Sequence, residues 1–266
     1  MTRIAVVGHV EWVDFVPVAR LPRRGEVVPS IAAFTRAAGG GGVAAVVLAE
    51  LGAEVDFFCA LGRDSYGRAT ADQLAERGVR AQVAWRDGPT RRVMTMLEAG
   101  GERAIVSLGT RLEPLGSEDL EWERLRGAEG AYFTAGDDAA LRRAREARVL
   151  VATARARTAL LGEGPMIDAL VFSATDPHER EWADRAAHRA RLMVATEGAQ
   201  GGRWWGEAEG SWAPVPPPGE PRDSYGCGDS FAAAFTLGLG AGESVGEAAA
   251  RGAACGARCL TRAGAP

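Results

Sequence analysis

A turn of small residues at the start of a helix is the segment of this chain best suited to chemistry. Residues Asp223–Asp229 read Asp-Ser-Tyr-Gly-Cys-Gly-Asp, and a run of small and apolar residues with a helical pattern follows from Ser230 to Gly238. A Gly-x-Gly turn that opens a helix leaves several backbone N–H groups unpaired and pointing the same way, and the helix dipole adds positive potential there. The turn therefore predicts a binding site for an anion such as a phosphoryl group.

Asp229 places a carboxylate beside this anion site, and two interpretations are open. Carboxylates are common at the N-termini of helices, where they cap free N–H groups and do no chemistry. Alternatively, Asp229 is a general base that takes a proton from a hydroxyl group while the N–H groups hold the charge of a phosphoryl group.

The same segment resembles the C-terminal signature of the ribokinase-like (PfkB-type) carbohydrate kinases, Asp-Thr-x-Gly-Ala-Gly-Asp. This chain has Ser224 in place of Thr and Cys227 in place of Ala. The resemblance implies that Asp229 is the catalytic base and that the N–H groups of Gly226, Cys227, Gly228 and Asp229 form an anion hole. It also implies a ribokinase-like α/β fold, in which helices flank a central, mostly parallel β-sheet and a small β-sheet forms a lid.

Composition and charge limit the class of protein. The chain has 266 residues, of which 47% are hydrophobic and 25% charged, with a formal net charge of -4, so we expect one globular domain spanning 1–266 and no nucleic-acid partner. It contains no lysine. A Walker A loop and a protein-kinase site each need one, so both are excluded, and any cationic help to phosphate must come from arginine, a metal or backbone dipoles.

Cysteine spacing, the N-terminus and hydropathy bear on the location of the protein. The cysteines, Cys59, Cys227, Cys255 and Cys259, include no Cys-x-x-Cys pair, and with three histidines they do not favour a zinc site. No signal-peptide pattern follows Met1, and no apolar run is long enough to span a bilayer. We therefore expect a cytoplasmic protein with no membrane partner.

The N-terminal third predicts a strand followed by lid segments. Residues 3–10 form an apolar run typical of a buried strand, and Asp14 follows it, either as a turn residue or, as the resemblance implies, as a ligand of sugar hydroxyls. Residues 11–37 and 81–107 contain short β-prone pieces broken by Pro and Gly, which we expect to form the lid. Because the lid of the family often pairs with another subunit, a homodimer through the lid is also expected.

A glycine run opens the next predicted helix, which ends at Gly52. Glycines permit close approach of the backbone to a ligand. The stretch resembles the N-terminal signature of the family, Gly-Gly-x-x-x-Asn before an Ala-rich helix, which implies that Gly39 and Gly40 contact the acceptor. Val43 stands where the family has its sugar-binding Asn, so the class of acceptor stays open.

The C-terminal half predicts the nucleotide site. From Glu118 onward helical and strand patterns alternate, which argues for parallel strands with crossover helices. The sequence Thr-x-Gly-x-x-Gly at Thr196, Gly198 and Gly201 resembles the loop of the family beside the nucleotide phosphates, and Ser224 is expected there too.

The resemblance also implies a metal site, since the family usually has Asn-x-x-Glu linked to Mg²⁺ and the phosphates. Here Ser173 and Asp176 stand at the end of a predicted strand, with Glu179 as a further candidate ligand. Asp176 could instead cap the helix that begins at Pro177. A monovalent cation such as K⁺ near Asp223 is implied by the resemblance alone.

Taken together, these features predict an ATP- and Mg²⁺-dependent kinase that phosphorylates a hydroxyl group of a small sugar-like molecule. A nucleoside kinase is an alternative, because the loss of Asn at Val43 and the presence of Trp12 and Phe15 near the lid are compatible with a flatter acceptor. A non-catalytic ligand-binding or regulatory protein of the same fold is a further alternative, favoured by the altered Asn positions. A nicotinamide dehydrogenase is disfavoured because the dinucleotide-binding glycine fingerprint is absent.

Overall fold

A computed structural model describes residues 1–30, 32–98, 103–264 and 266. Ile31, which the lid interpretation includes, and the predicted turn at Gly100 and Gly101 lie outside these residues. Within the described residues the chain forms a nine-stranded sheet and a four-stranded sheet. No helix in this part of the chain combines the length and the hydropathy needed to cross a membrane.

The helices and strands follow one another as alternation in the sequence predicts. In chain order the strands are β1 (Arg3–Val7), β2 (Glu11–Val18), β3 (Phe34–Ala38), β4 (Glu54–Gly62), β5 (Val79–Arg86), β6 (Arg92–Glu98), β7 (Arg103–Leu108), β8 (Gly130–Phe133), β9 (Val149–Thr153), β10 (Ile167–Ser173), β11 (Ala190–Thr196), β12 (Gly202–Gly206) and β13 (Gly210–Trp212). The helices are α1 (Gly39–Glu50), α2 (Ser65–Glu76), α3 (Asp138–Ala144), α4 (Arg157–Leu160), α5 (Pro177–Ala186), α6 (Cys227–Gly240) and α7 (Val245–Cys259). Short 3-10 turns lie at Trp122–Gly127, Ala154–Ala156, Ala187–Arg189 and Gly198–Gln200.

The large sheet has the strand order β13-β12-β11-β10-β9-β8-β1-β4-β5. Neighbours from β11 to β5 pair in parallel, and β12 and β13 add an antiparallel edge. The chain builds from β1 towards β5 and then returns to build from β8 towards β11, so the order reverses between β1 and β8. Open α/β sheets bind ligands at such a reversal, beyond the carboxyl ends of the strands. The predicted ribokinase-like α/β architecture is confirmed.

Helices cover both faces of this sheet, which explains why its central strands are continuous apolar runs. All four residues of β8 are buried, and successive side chains of β4 enter opposite cores because side chains alternate along a strand. Phe57 packs with the core under α1 and α6, whereas Phe58 stacks on Trp122 in the core on the other face, with ring centroids 4.7 Å apart.

The small sheet has the order β3-β2-β6-β7 and lies against the segment that precedes α6. Val13, Phe15 and Thr95 are fully buried on its inner face. The Phe15 ring stacks on Phe34 and meets Tyr225 edge-on, with centroids 5.1 and 5.0 Å apart. The small sheet is therefore fixed to the same segment that carries the predicted anion turn.

Part of the predicted lid was assigned to the wrong sheet. Residues 81–85 lie in β5, which pairs in parallel with β4 as the edge strand of the large sheet. The dipeptide Asp87–Gly88, whose sequence predicts a hairpin turn within the lid, therefore lies in a connection that joins the two sheets. An edge strand has a neighbouring strand on one side only, so β5 mixes buried and partly exposed residues. A lid strand has the same mixed burial pattern. The small sheet itself comprises β2, β3, β6 and β7, and its action as a lid stays a prediction.

Two further boundaries differ from the sequence prediction. The first strand ends at Val7 and not at Val10, so His9 lies beyond its carboxyl end. The hairpin of β12 and β13 was not predicted, because its strands are five and three residues long and rich in glycine and tryptophan.

The outer face of the small sheet carries exposed apolar side chains. Met94 pairs across the strands with Val106, and Arg92 with Leu108, so Met94, Val106 and Leu108 share one face, with exposures of 37%, 47% and 43%. A second copy of the chain would cover such a face. The homodimer stays a prediction, which sedimentation velocity over a range of concentrations would test.

Close packing at Gly67 gives a stability prediction. Gly67 N–H donates to Asp64, the N-cap of α2, and a methyl group at Gly67 would lie 2.1 Å from the carbonyl oxygen of Gly62. Backbone cannot yield cheaply, so we expect Gly67→Ala to lower the free energy of unfolding by about 3 kcal/mol in urea denaturation. Gly88→Ala is the matched control, because a methyl group there has no neighbour within 4 Å. Equal losses in the two variants would contradict the steric account.

Candidate active site

Helix α6 begins with the turn that the sequence singles out. Gly226 precedes the helix with φ 77°, a left-handed conformation that residues with a Cβ adopt only at a cost. The N–H of Ser230 donates to the carbonyl of Gly226 at 2.8 Å and closes the first turn. Within the described residues, the N–H groups of Gly228 and Asp229 have no protein acceptor. These free donors, together with the helix dipole, can bind an anion.

Asp229 lies where the first turns of α1 and α6 meet. A methyl group at Gly40 would lie 3.0 Å from Asp229 Oδ1 and 3.3 Å from His9 Cε1, so only a glycine lets the backbone pass this close. Gly40 N–H donates to His9 Nε2 at 3.2 Å, and Gly39 N–H donates to the Tyr225 hydroxyl at 3.3 Å. The predicted substrate-binding glycines Gly39 and Gly40 are thus brought beside the predicted base.

His9 is a neutral neighbour of this site. Burial, together with the positive charges of Arg111, Arg91 and Arg155, lowers its pKa to about 3. Its Nε2 accepts a hydrogen bond, so Nδ1 carries the proton, and Nδ1 has no partner within the described residues. At neutral pH the imidazole of His9 is therefore uncharged, and it adds no positive charge beside Asp229.

The pKa of Asp229 is raised to about 6. Burial is the main cause, and the carboxylates of Glu179 and Glu11 raise it further, whereas the guanidinium groups of Arg155 and Arg103 lower it. The side chain remains partly exposed to solvent although protein surrounds it on most sides. A carboxyl group with a pKa near 6 is ionised at neutral pH and binds a proton more readily than an ordinary aspartate.

A salt-bridged group stands beyond the carboxyl ends of β9 and β10. Arg155 donates from Nε to Glu179 at 2.6 Å and from NH2 to Asp176 at 3.1 Å. Glu179 also accepts from the Ser173 N–H at 2.8 Å, and Asp176 caps α5 by accepting from the N–H groups of His178 and Glu179. The capping interpretation of Asp176 is therefore observed, and the carboxylate of Glu179 is buried close to Asp229.

The three predicted metal ligands are not one group. Asp176 and Glu179 share Arg155, but Asp223 ties two loops together by accepting from the N–H groups of Tyr225 and Gly264, each at 3.0 Å. No cluster of three or more His, Cys, Asp or Glu side chains suited to a metal occurs in the residues described here. The carboxylates of Asp176 and Glu179 suit only a Mg²⁺ ion that takes most of its ligands from nucleotide phosphates and water.

The predicted nucleotide residues lie near this group. Thr196 ends β11 beside Ser173, which ends the neighbouring strand β10, and the Thr196 hydroxyl donates to the Phe172 carbonyl at 3.4 Å. Gly198 and Gly201 follow with φ of 58° and 88°, which glycine adopts without strain. Ser224, in the loop before α6, accepts a hydrogen bond from Arg103 of the small sheet.

Asp14 and Val43, both predicted to contact the acceptor, have different surroundings. Asp14 forms an ion pair with Arg92 at 2.8 Å on the small sheet. Val43, at 1% exposure, packs beneath the anion turn, and a methyl group at Gly226 would meet its Cγ1 at 3.0 Å. Val43 thus supports the turn by packing and offers no hydrogen bond to a ligand.

Several charged residues of the site were not predicted. Glu11 is buried, pairs with Arg91 at 3.0 Å, and has a pKa that burial raises. Arg155 follows β9 directly, and Arg103 reaches the loop before α6 from the small sheet. Arg155 could have been predicted from the sequence, because it follows shortly after the end of a strand. Glu11 and Arg103 carry no such signal because their place depends on how the small sheet docks.

Comparison with known proteins identifies the family. The profile described as pfkB family carbohydrate kinase matches residues 1–159 and 167–266. The chain belongs to the PfkB family of carbohydrate kinases. A ribokinase of Arabidopsis thaliana is 28% identical over 110 residues, which make up 40% of this chain and 29% of that ribokinase. The match thus spans less than a third of the relative's length.

Solved structures of the same fold extend over the whole PfkB chain. A structure of Arabidopsis thaliana ribokinase complexed with ribose and ATP has a TM-score of 0.78 at 21% identity, covering 100% of this chain and 95% of that one. A microbiome-derived acarbose kinase has a TM-score of 0.80 at 23% identity, covering 99% and 94%. Adenosine kinase from Sinorhizobium meliloti has a TM-score of 0.77 at 18% identity, covering 99% and 95%. At these identities the likeness shows the fold alone.

The raised pKa of Asp229 predicts a pH-dependent gain of stability on substitution. Because the folded-state pKa lies above the usual value, the ionised carboxylate lowers stability above about pH 6, and this cost disappears as the pH falls below the usual pKa. We expect Asp229→Asn to raise the free energy of unfolding at pH 8 by about 1–2 kcal/mol, allowing for partial exposure, and by less at pH 5.

Chemical denaturation at the two pH values measures this difference. Asp87→Asn is the control, since the Asp87 side chain is 99% exposed and, among the described residues, forms an ion pair with Arg63 alone. A gain for Asp229→Asn that is the same at pH 5 and pH 8, or a loss at both, would contradict the electrostatic account of the site.

Proposed function

We propose that this PfkB-family protein is an ATP-dependent phosphotransferase that phosphorylates a hydroxyl group of a small sugar or sugar-like molecule, with Asp229 as general base. One observation carries the proposal: a carboxylate with a pKa near 6 lies in the N-terminal turn of α6 beside two N–H groups that have no acceptor among the described residues. An aspartate that only capped the helix could stay exposed to solvent. Burial of the Asp229 carboxylate, which makes its ionised form less stable, therefore argues for a chemical role.

The proposed reaction is a single in-line displacement. Asp229 takes the proton of the acceptor hydroxyl, whose oxygen forms a bond to the γ-phosphorus of ATP while the bond from that phosphorus to the β–γ bridging oxygen breaks and ADP leaves. The N–H groups of Gly228 and Asp229, for which the described residues offer no acceptor, and the dipole of α6 stabilise the charge on the transferring group, whereas the N–H of Cys227 donates to the Ser224 carbonyl at 3.4 Å. Holding both reactants in line supplies most of the catalysis.

Arginine supplies the cationic groups, since the chain has no lysine. Arg155 forms ion pairs with both Glu179 and Asp176 and keeps the pKa of Asp229 from rising further. Arg103 lies 3.9 Å from Asp223 and hydrogen-bonds to Ser224, so it links the small sheet to the anion turn.

The nucleotide would lie along the carboxyl ends of β10 and β11. Thr196, Gly198 and Gly201 lie at the end of β11 and in the loop after it, Ser224 would approach from the loop before α6, and the related ribokinase of known structure was solved with ATP. Mg²⁺, when bound, neutralises the nucleotide phosphates. Glu179 and Asp176 would hold it through water, because both carboxylates already bind Arg155. A monovalent cation near Asp223 belongs to the same proposal.

A nucleoside is the second candidate acceptor. Val43 provides no hydrogen-bonding side chain at the position of the usual Asn, and Trp12 and Tyr66 form an aromatic pair with centroids 6.1 Å apart near Asp14. Aromatic rings bind flat bases, whereas Asp14 and Gly39–Gly40 suit hydroxyl groups. An adenosine kinase and a ribokinase both share the fold. A non-catalytic binding role is the remaining alternative.

The test is ADP release from ATP and Mg²⁺ in the presence of a panel of sugars, sugar phosphates and nucleosides. We expect turnover with one class of acceptor, and Asp229→Asn should lower kcat by at least about a hundredfold because the general base is lost. ATP binding, measured separately by calorimetry, should persist in the variant, since the anion turn and the folded structure are retained.

Asp14→Asn serves as the matched control, because it changes another carboxylate of the same site and should act on the KM for the acceptor more than on kcat. Turnover of Asp229→Asn equal to that of the natural protein would exclude Asp229 as the base. Binding of ATP without turnover against any acceptor would favour the non-catalytic role.

A further inference from the structure

A basic cavity lies apart from the candidate active site. It has a volume of about 480 Å³, and its walls include Arg36, Glu50, Arg77, Arg222, Thr261 and Arg262. These residues come from β3, the C-terminal ends of α1 and α2, the loop before α6 and the turn after α7. Segments distant in the sequence thus bring four guanidinium groups to one cavity.

The charges of this cavity do not balance. Glu50 provides the only acidic side chain among the described residues of the wall, and two arginines share it: Arg77 lies 2.5 Å from Oε1 and Arg262 lies 2.9 Å from Oε2. The side chains of Arg36 and Arg222 form neither an ion pair nor a hydrogen bond with any described residue, although Arg36 lies over the Phe34 ring at 5.5 Å. Four guanidinium groups and one carboxylate leave a net charge of three positive units.

The guanidinium group of Arg36 is repelled by other arginines of the cavity. Burial lowers its pKa, and the positive charges of Arg77 and Arg262 lower it further, whereas Glu50 raises it. Converging guanidinium groups that lack counter-ions are unfavourable unless an anion joins them. Arginine is also the side chain best suited to phosphate, because its planar group donates two parallel hydrogen bonds.

The cavity is remote from Asp229 but connected to the loop that leads to it. Helix α1 runs from Gly40, beside Asp229, to Glu50 in the cavity wall, and ten residues of helix span about 15 Å. Arg222 precedes Asp223, which binds the N–H of Gly264 two residues after Arg262. The wall at Glu50 is therefore distant from Asp229, whereas Pro266, which also lines the cavity, lies near Gly226, where a methyl group would be 3.7 Å from its Cδ.

We infer that this cavity binds the phosphate group of a small phosphate ester. Arg36 and Arg222, whose side chains have no ion-pair or hydrogen-bond partner among the described residues, would donate to the phosphate oxygens, while Arg77 and Arg262 add charge from either side of Glu50. The volume exceeds that of a phosphate ion, so the rest of a small ester fits beside it. The site is a second anion site and is independent of the function proposed for Asp229.

Calorimetric titration with inorganic phosphate and with glycerol 3-phosphate, in the absence of ATP, tests the site. We expect both probes to bind the natural protein and to bind Arg36→Gln/Arg222→Gln at least about tenfold more weakly. The control Arg24→Gln/Arg180→Gln removes the same charge from two exposed positions that lack ion pairs in the described structure, and it should bind as the natural protein does. Any anion bound by the turn before α6 contributes equally to all three proteins.

Thermal melting separates loss of the site from loss of the fold. Removal of Arg36, which Arg77 and Arg262 repel, and of Arg222 should leave the melting temperature without phosphate unchanged or higher, and phosphate should then raise it less in Arg36→Gln/Arg222→Gln than in the control. Equal phosphate binding by all three proteins, or no binding by the natural protein at about 10 mM phosphate, would overturn the inference.

Discussion

The site depends on one electrostatic conflict: a carboxylate is held beside backbone donors that are arranged to bind an anion. Gly226, in its left-handed conformation, directs the N–H groups of the first turn of α6 to one side, and Asp229 belongs to that same turn. Burial and the nearby carboxylates of Glu179 and Glu11 raise the pKa of Asp229, while Arg155 and Arg103 limit the rise. The result is a carboxylate that is ionised at neutral pH yet has a higher affinity for a proton than an ordinary aspartate.

The rest of the fold makes this arrangement possible. The reversal of strand order between β1 and β8 opens the sheet where α1 and α6 begin, and Gly40 lets their first turns approach. Val43 packs beneath Gly226, and Tyr225 joins the loop before α6 both to α1 and to the small sheet. Stability of the core and geometry of the site are therefore not separable, since the same small residues serve both.

The sequence predicted the features that depend on local pattern. The turn at Asp223–Asp229, the parallel strands and the glycine start of α1 follow from residue types at fixed spacing, and the family they resemble is confirmed. The assignment of β5 failed because an edge strand and a lid strand share one pattern. Arg103 and Glu11 could not be found, because long-range docking of the small sheet sets their positions. Which acceptor binds depends on the same docking.

The pH dependence of kcat/KM for the acceptor tests the central role of Asp229 most directly. The account predicts that the rate falls on acidification with an apparent pKa of about 6, and that Arg155→Gln moves this apparent pKa upward because the nearest opposing positive charge is removed. A rate that stays constant from pH 8 to pH 5, or a profile that Arg155→Gln leaves unchanged, would contradict the account.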